Sequence, residues 1–236
     1  MRIIGFTNGC FHGKNRNIFS VAALNKLKLK GTNALELSFD PLADQTKLRA
    51  LLPELKKFKY ISLHMSSRYD YSGGKIMTKI LKNTLAFYQL CGAQLVVLHP
   101  DVVKNWQIFQ KYPINWAVEN MDSNKIDFQT VSSVGRLLAQ WPKLKMVLDL
   151  NHCYENDPTL KLANDFIKRF KNKIKEIHLS GHQNSKKTHH GLLYQTKQKQ
   201  IVLTCRKIKV PIIIESYLEH DSDIEKEFNY INKLLN

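Results

Sequence analysis

Residues 144–152 read LKMVLDLNH, a short apolar run that ends in aspartate and, three residues later, histidine. The run has the length and the β-branched, apolar content of a strand covered on both faces. Such a strand has no routine use for a carboxylate at its end, because an unpaired buried charge is costly. Outward along the chain the pattern recurs. KYISLH (59–64) ends in His64, AQLVVLH (93–99) in His99, NWAVEN (115–120) carries Glu119, IKEIHLS (174–180) carries His178 and VPIIIES (210–216) carries Glu215. One polar site shared by all these strand ends is the simplest physical account.

Two more strand-like runs, RIIGFT (2–7) and NALELSF (33–39), precede this set. Helix-like segments fall between the strands, over 18–29, 43–58, 75–91, 103–111, 129–141, 159–172, 196–208 and 221–235. Leu48, Leu51, Leu52 and Leu55 show the spacing of one apolar helix face. Asp221 or Ser222 reads as the N-cap of the last helix, and Asp157-Pro158 opens 159–172 in the same way. Eight strand–helix units with a period of about thirty residues predict an α/β fold, a (β/α)8 TIM barrel with residues 1–236 in a single domain. In such a barrel all the strand C-termini converge on one face, where sites are built. His64, His99, Glu119, Asp149, His178 and Glu215 are therefore expected in one basin. Glu36, earlier in its strand, reads as a supporting or barrel-layer residue.

Composition bounds the rest. With 236 residues, 43% hydrophobic and 24% charged, the chain has the balance of a soluble globular protein. No stretch has the length of a signal peptide core or a membrane span. Cys10, Cys91, Cys153 and Cys205 are far apart and read as reduced thiols of a cytoplasmic protein, Cys153 as an inert neighbour of His152. The net charge of +16 is either an electrostatic footprint for a polyanion or lysine spread over solvated helix faces.

Mixed imidazole and carboxylate ligands favour zinc, manganese or iron over calcium or magnesium. Three histidines, two glutamates and one aspartate exceed what one four-coordinate ion uses. With His152 and a histidine from 189–190 there are donors for two or three ions. Glu119, between the histidine strands and the acidic strands, is placed to bridge two of them. A two-metal site suits phosphodiester hydrolysis, one ion generating the nucleophile and the other stabilising the leaving oxygen; a one-metal site flanked by Glu119 and Glu215 suits sugar isomerisation or epimerisation. His12 and His220 read as surface or supporting residues. Asn120 and Asp122 read as solvent-facing loop residues rather than organisers of the ligand shell. Trp106, Tyr112 and Trp116 read as packing residues.

LDLNH (148–152), HMSSRY (64–69), LHPD (98–101), ENMD (119–122) and IIIES (212–216), in this order, resemble the xylose-isomerase-like barrel superfamily and, within it, the endonuclease IV family of AP endonucleases. The resemblance implies a metal-dependent hydrolase of phosphodiester or phosphate-ester bonds, with zinc or manganese as cofactor and DNA among its candidate partners. It implies one ion at His64, His99 and Glu119, a second at Glu119, Asp149, His178 and Glu215, and a third at His152 with His189. Glu119 and Glu215 are then the catalytic carboxylates. Arg68 and Tyr69, with His182 and Lys186, are the candidate substrate contacts. The chain departs from the pattern over HLSGHQNSKKTHHG (178–191), where Lys187 stands in place of an acidic ligand, so a third ion would recruit His182 or His190 instead. The isomerase branch of the superfamily keeps Glu119, Asp149, His178 and Glu215 around one ion. A barrel that binds without turning over is the remaining reading.

Overall fold

A computed structural model describes residues 2–11, 20–29, 31–43, 45–183 and 188–236, with the backbone alone at 45, 47, 188 and 189. The strands are β1 (Ile4–Thr7), β2 (Ala34–Phe39), β3 (Tyr60–Met65), β4 (Leu95–Leu98), β5 (Trp116–Glu119), β6 (Lys145–Asp149), β7 (Ile174–Leu179), β8 (Gly181–Gln183), β9 (Thr188–Gly191) and β10 (Ile212–Ile214). Eight of them close into a parallel barrel in the order β1-β10-β7-β6-β5-β4-β3-β2, and β8 with β9 forms a separate antiparallel hairpin.

Side chains alternate along a strand, and in this barrel that alternation aims the site. Ala34, Tyr60, Leu95, Val97, Ala117, Val147 and Ile213 form their own apolar cluster, apart from the larger one that joins strands to helices. Two residues further along the same strands stand Glu36, Ser62, His99, Glu119, Asp149 and Glu215. The chemistry-bearing residues therefore continue the barrel's interior face towards the C-terminal ends. Their neighbours Leu35, Leu63, Leu98, Val118, Leu148 and Ile214 point outward into the main core, and each is fully buried. Burying a side chain of this kind contributes about 1.5–3 kcal/mol, so this outer layer carries the stability.

The helices are α1 (Val21–Leu27), α2 (Gln45–Ala50), α3 (Leu52–Leu55), α4 (Gly74–Cys91), α5 (Val131–Gln140), α6 (Leu150–Asn156), α7 (Lys161–Phe170), α8 (Leu193–Thr196), α9 (Lys199–Thr204) and α10 (Asp221–Leu235). Several differ from expectation. The segment 43–58 splits into α2 and α3, with Pro53 in the first turn of α3, where its missing N–H costs nothing. The segment 103–111 holds only a 3-10 helix, Trp106–Lys111. The N-cap of α10 is His220, not Asp221 or Ser222: its N–H donates to Asp223 Oδ2 at 2.7 Å. His220 is exposed, as expected of a surface residue. No helix among the described residues is long and apolar enough to cross a membrane.

Buried Glu227 on α10 ties the last strand to the outer layer. Its carboxylate accepts the backbone N–H groups of Leu193 and Tyr194 at 2.8 and 2.9 Å and the Ser216 hydroxyl at 2.6 Å. At Gly5 the β1 backbone runs so close to β2 that a Cβ would lie 1.7 Å from the Ala34 carbonyl oxygen. Backbone cannot yield there without parting two barrel strands. Gly5→Ala is expected to cost about 3 kcal/mol, the upper range for overpacking, read as a lower urea midpoint at unchanged slope.

Candidate metal centre

The spacing LDLNH makes a structural device. Asp149 ends β6 and is the N-cap of α6, its Oδ1 accepting the His152 backbone N–H at 2.8 Å. That cap puts the His152 ring on the first helical turn, beside the strand ends. Asn120 secures the arrangement from β5. Its Oδ1 accepts Asp149 N–H at 2.9 Å, its amide donates to Asp149 O at 3.0 Å, and its own carbonyl accepts from His152 Nδ1 at 2.8 Å. Expected at the solvent face, Asn120 is fully buried, enclosed by its contacts with Asp149, His152 and Cys153 at the start of α6. Asp122 is buried too and caps the turn at Asn124, so neither residue is a solvent-facing one. Cys153 is a buried thiol whose pKa burial pushes up, consistent with an inert neighbour.

Glu119 is the middle of the site. Its Oε2 lies 3.3 Å from His64 Nε2 and 3.3 Å from His99 Nε2, while its Oε1 lies 3.1 Å from His178 Nδ1. His178 Nδ1 is also 3.4 Å from Glu215 Oε1, and His152 Nδ1 is 3.6 Å from Asp149 Oδ2. On its far side His178 Nε2 meets Glu36 and Glu176, each at 3.1 Å. Glu36 thus supports the site from the barrel interior, as its position in β2 suggests. Glu176 is a residue that the reading of strand ends misses. It lies two residues before His178, on the same face of β7, and that spacing is its signal in the sequence.

Electrostatics shape this cluster. Burial alone would lower the pKa of His64, but Glu36 and Glu119 outweigh it and push it up to about 9. Asp149 and Glu119 do the same for His152, also to about 9. Burial pushes Glu215 up to about 8 against the pull of His178. Glu119 goes the other way: despite burial, His178, His64 and His99 hold it well below the ordinary carboxylate range.

The donor set fits divalent cations. His64 Nδ1 lies 3.2 Å from the Met65 carbonyl oxygen. A carbonyl only accepts, so this nitrogen donates, and the neutral ring turns the lone pair of Nε2 towards Glu119 Oε2. Lone pairs at such range repel unless a proton or a metal ion lies between them. His178 is held in the same sense by Glu36, whose carboxylate His178 keeps below the ordinary range and which accepts from Nε2–H, an arrangement that orients metal-ligating histidines generally. Among the described residues, donor atoms converge within 4.8 Å in the sets His64, His99, Glu119 and Glu119, Asp149, His178, Glu215, and in the interior set Glu36, Glu176, His178.

The other candidates fall as follows. A cavity of about 290 Å³ opens over the site and brings in His152 and His190, the latter ring 4.5 Å from that of Tyr217. His190 thus reaches the basin; the side chain of His189, with His12, Lys186 and Lys187, lies outside the described residues. His182 does not line the basin; its ring lies 6.1 Å from that of Tyr154. Arg68 and Tyr69 also stand aside, in a neighbouring groove with Ile76, and the Tyr69 hydroxyl donates to Asp40 at 2.8 Å.

Neither a protein-family model nor a curated protein sequence matches the chain. Solved structures do. A xylose isomerase domain-containing protein from Salmonella typhimurium is 17% identical with a TM-score of 0.66, over 99% of this chain and 97% of that one. Endonuclease IV from Thermus thermophilus is 18% identical with a TM-score of 0.66, over 91% and 93%. An L-ribulose 3-epimerase is 14% identical with a TM-score of 0.69, over 100% and 95%. Two of the three are named for different reactions, so the likeness speaks to architecture and leaves the activity to the site. The chain has the xylose-isomerase-like TIM-barrel fold.

Proposed function

We propose that this protein is a metal-dependent hydrolase of phosphate esters, phosphodiesters foremost, that works with two zinc or manganese ions. The observation that carries the reading is the division of Glu119: Oε2 turns to His64 and His99, Oε1 to His178 on the opposite side. His64, His99 and Glu119 would hold one ion; Glu119, Asp149, His178 and Glu215 the other. When bound, such a pair supplies activated water and a counter-charge for the leaving oxygen of an in-line displacement. The chain's own residues do the rest. Glu119 spans the two ligand sets and fixes their relation. Glu36 holds the His178 proton on Nε2 and leaves Nδ1 for the centre. Glu215, its side chain 12% exposed, stands at the rim, where it would complete the second ligand set on the side that substrate approaches. His152 and His190 face the same cavity, where an acidic substrate would sit. Nucleic acid is the substrate class that suits a chain of net charge +16.

The competing reading is an epimerase or isomerase with one ion at Glu119, Asp149, His178 and Glu215, the two glutamates moving the proton. It leaves His64 and His99 without a task at Glu119 Oε2, which favours the hydrolase. Turnover by protein loaded with manganese or zinc separates them. An abasic-site duplex or a simple phosphodiester is expected to be cleaved, with two ions bound per chain. Glu119→Ala should lower kcat/KM more than about 100-fold, because even residues that only support ligands cost 10- to 100-fold. Exchange of a ketose C–H proton with one ion bound, and no ester cleavage, would overturn the proposal; bound metal with no turnover on either panel would make the barrel a binding protein.

Protons and metal compete for the same atoms. With His64 and His152 held up to about 9 and Glu215 to about 8, the metal-free centre carries protons at neutral pH. Loading should therefore release protons, and apparent affinity should rise with pH until about 9 and fall as pH drops. Calorimetry in buffers of different ionisation enthalpy reads this directly. Binding that is independent of buffer and pH would show that these groups are not the ligands.

A further inference from the structure

The connection between β4 and β5 lacks a full α-helix. Where the sequence predicts a helix over 103–111, the chain forms the six-residue 3-10 helix Trp106–Lys111, and the outer wall of the barrel is left open between α4 and α5. A cavity of about 630 Å³ lies there, more than twice the volume of the one over the metal centre. It sits towards the N-terminal ends of β5 and β6, as Ile114, Asn115 and Leu144 in its lining show, away from the strand ends that bear the metal-binding residues. Trp106 and Tyr112, expected to be packing residues, are only half-buried against this space.

Its walls are aromatic and its charge is of one sign. Tyr88, Trp106, Tyr112, Trp116 and Trp141 line it, and the chain's three tryptophans are all among them. Trp116 is fixed by edge contact with Phe109 at 4.9 Å and by donation from its indole N–H to Phe109 O at 3.0 Å. The indole N–H of Trp141 is screened from solvent and has no hydrogen-bond partner among the described residues. Lys111 and Lys143 stand at the rim, and no acidic residue is among the described residues that line the space. The adjoining mouth of the barrel carries Lys145 and Lys175, which, with burial, hold Lys173 below the ordinary lysine pKa. None of Lys111, Lys143, Lys145 and Lys175 forms an ion pair with an acidic side chain of the described residues.

We propose that this groove binds a nucleobase carrying a phosphate, the base stacked on Trp106, Tyr112 or Trp141 and the phosphate held by Lys111 and Lys143. Flat aromatic walls accept any base face, and lysines beside them supply the anion contact that single-stranded nucleic acid sites combine with stacking. The site is separate from the metal centre and does not depend on what that centre catalyses. Its ligand is either a free nucleotide or one unit of a single strand.

Because all three tryptophans line the groove, their emission reports its occupancy. The test titrates metal-free, full-length protein with adenosine 5′-monophosphate, adenosine, inorganic phosphate and a short oligothymidylate. Saturable quenching by the nucleotide, none by inorganic phosphate, and weaker binding of adenosine are expected. Lys143→Glu should weaken nucleotide binding about tenfold or more, as should Trp141→Ala, the loss a stacked base gives. Lys199→Glu on α9, an equal change of charge, should leave it unaltered. Lys143 is exposed, so its variant folds and carries the test even where Trp141→Ala does not. Tighter binding of the oligonucleotide with the same variant dependence identifies a single-strand site; binding of the mononucleotide alone identifies a small-molecule site. No saturable quenching, or an equal loss in Lys199→Glu and Lys143→Glu, would overturn the proposal.

Discussion

Like charges buried together must have counter-charge among them, and the mouth of this barrel is built around that constraint. Glu36, Glu119, Asp149, Glu176 and Glu215 converge there with His64, His99, His152 and His178, six of the nine buried and His64, His99 and Glu215 partly exposed at the rim. Leaving such carboxylates unpaired would cost more than the packing around them returns. Glu119 resolves the conflict by meeting histidines from three strands and so drawing the separate strand ends into one centre. Everything else in the upper half of the barrel serves that meeting. The Asp149 cap sets His152, Asn120 ties β5 to α6, and Glu36 with Glu176 fixes the rear of His178.

The fold that delivers these groups is ordinary in its physics. On β2 to β6 and β10 one face begins the barrel's interior with apolar side chains and changes to polar ones towards the C-terminal end, while the other face packs on the main core. The outer core can hold the strands rigidly because it is largely apolar, and the buried polar groups it does contain, such as Glu227, are hydrogen-bonded. This separation lets the interior concentrate charge that a shared core could not tolerate.

Much of this is legible in the chain. His64, His99, Glu119, Asp149, His178 and Glu215 each end a run whose apolar residues alone would make a buried strand, and the structure gathers all of them. What escapes has no comparable contrast. Glu176 lies in the middle of its strand, where a reading of strand ends does not reach. Asn120 directly follows Glu119, and nothing in the sequence signals that it is buried against the start of α6. The helix expected over 103–111 has plausible apolar spacing, yet the chain forms only a 3-10 helix there, and nothing in the spacing marks the groove that this opens. The hairpin of β8 and β9 carries too little apolar alternation to announce itself, although it brings His190 to the basin.

The central claim is that one carboxylate joins two cation sites. X-ray diffraction from manganese- or zinc-loaded crystals, collected at the metal's absorption edge, tests it most directly. The account predicts two anomalous peaks in each molecule, one against His64 and His99 and the other against Asp149, His178 and Glu215, with Glu119 between them. A single peak at the second position, with His64 and His99 bearing no metal, would contradict it.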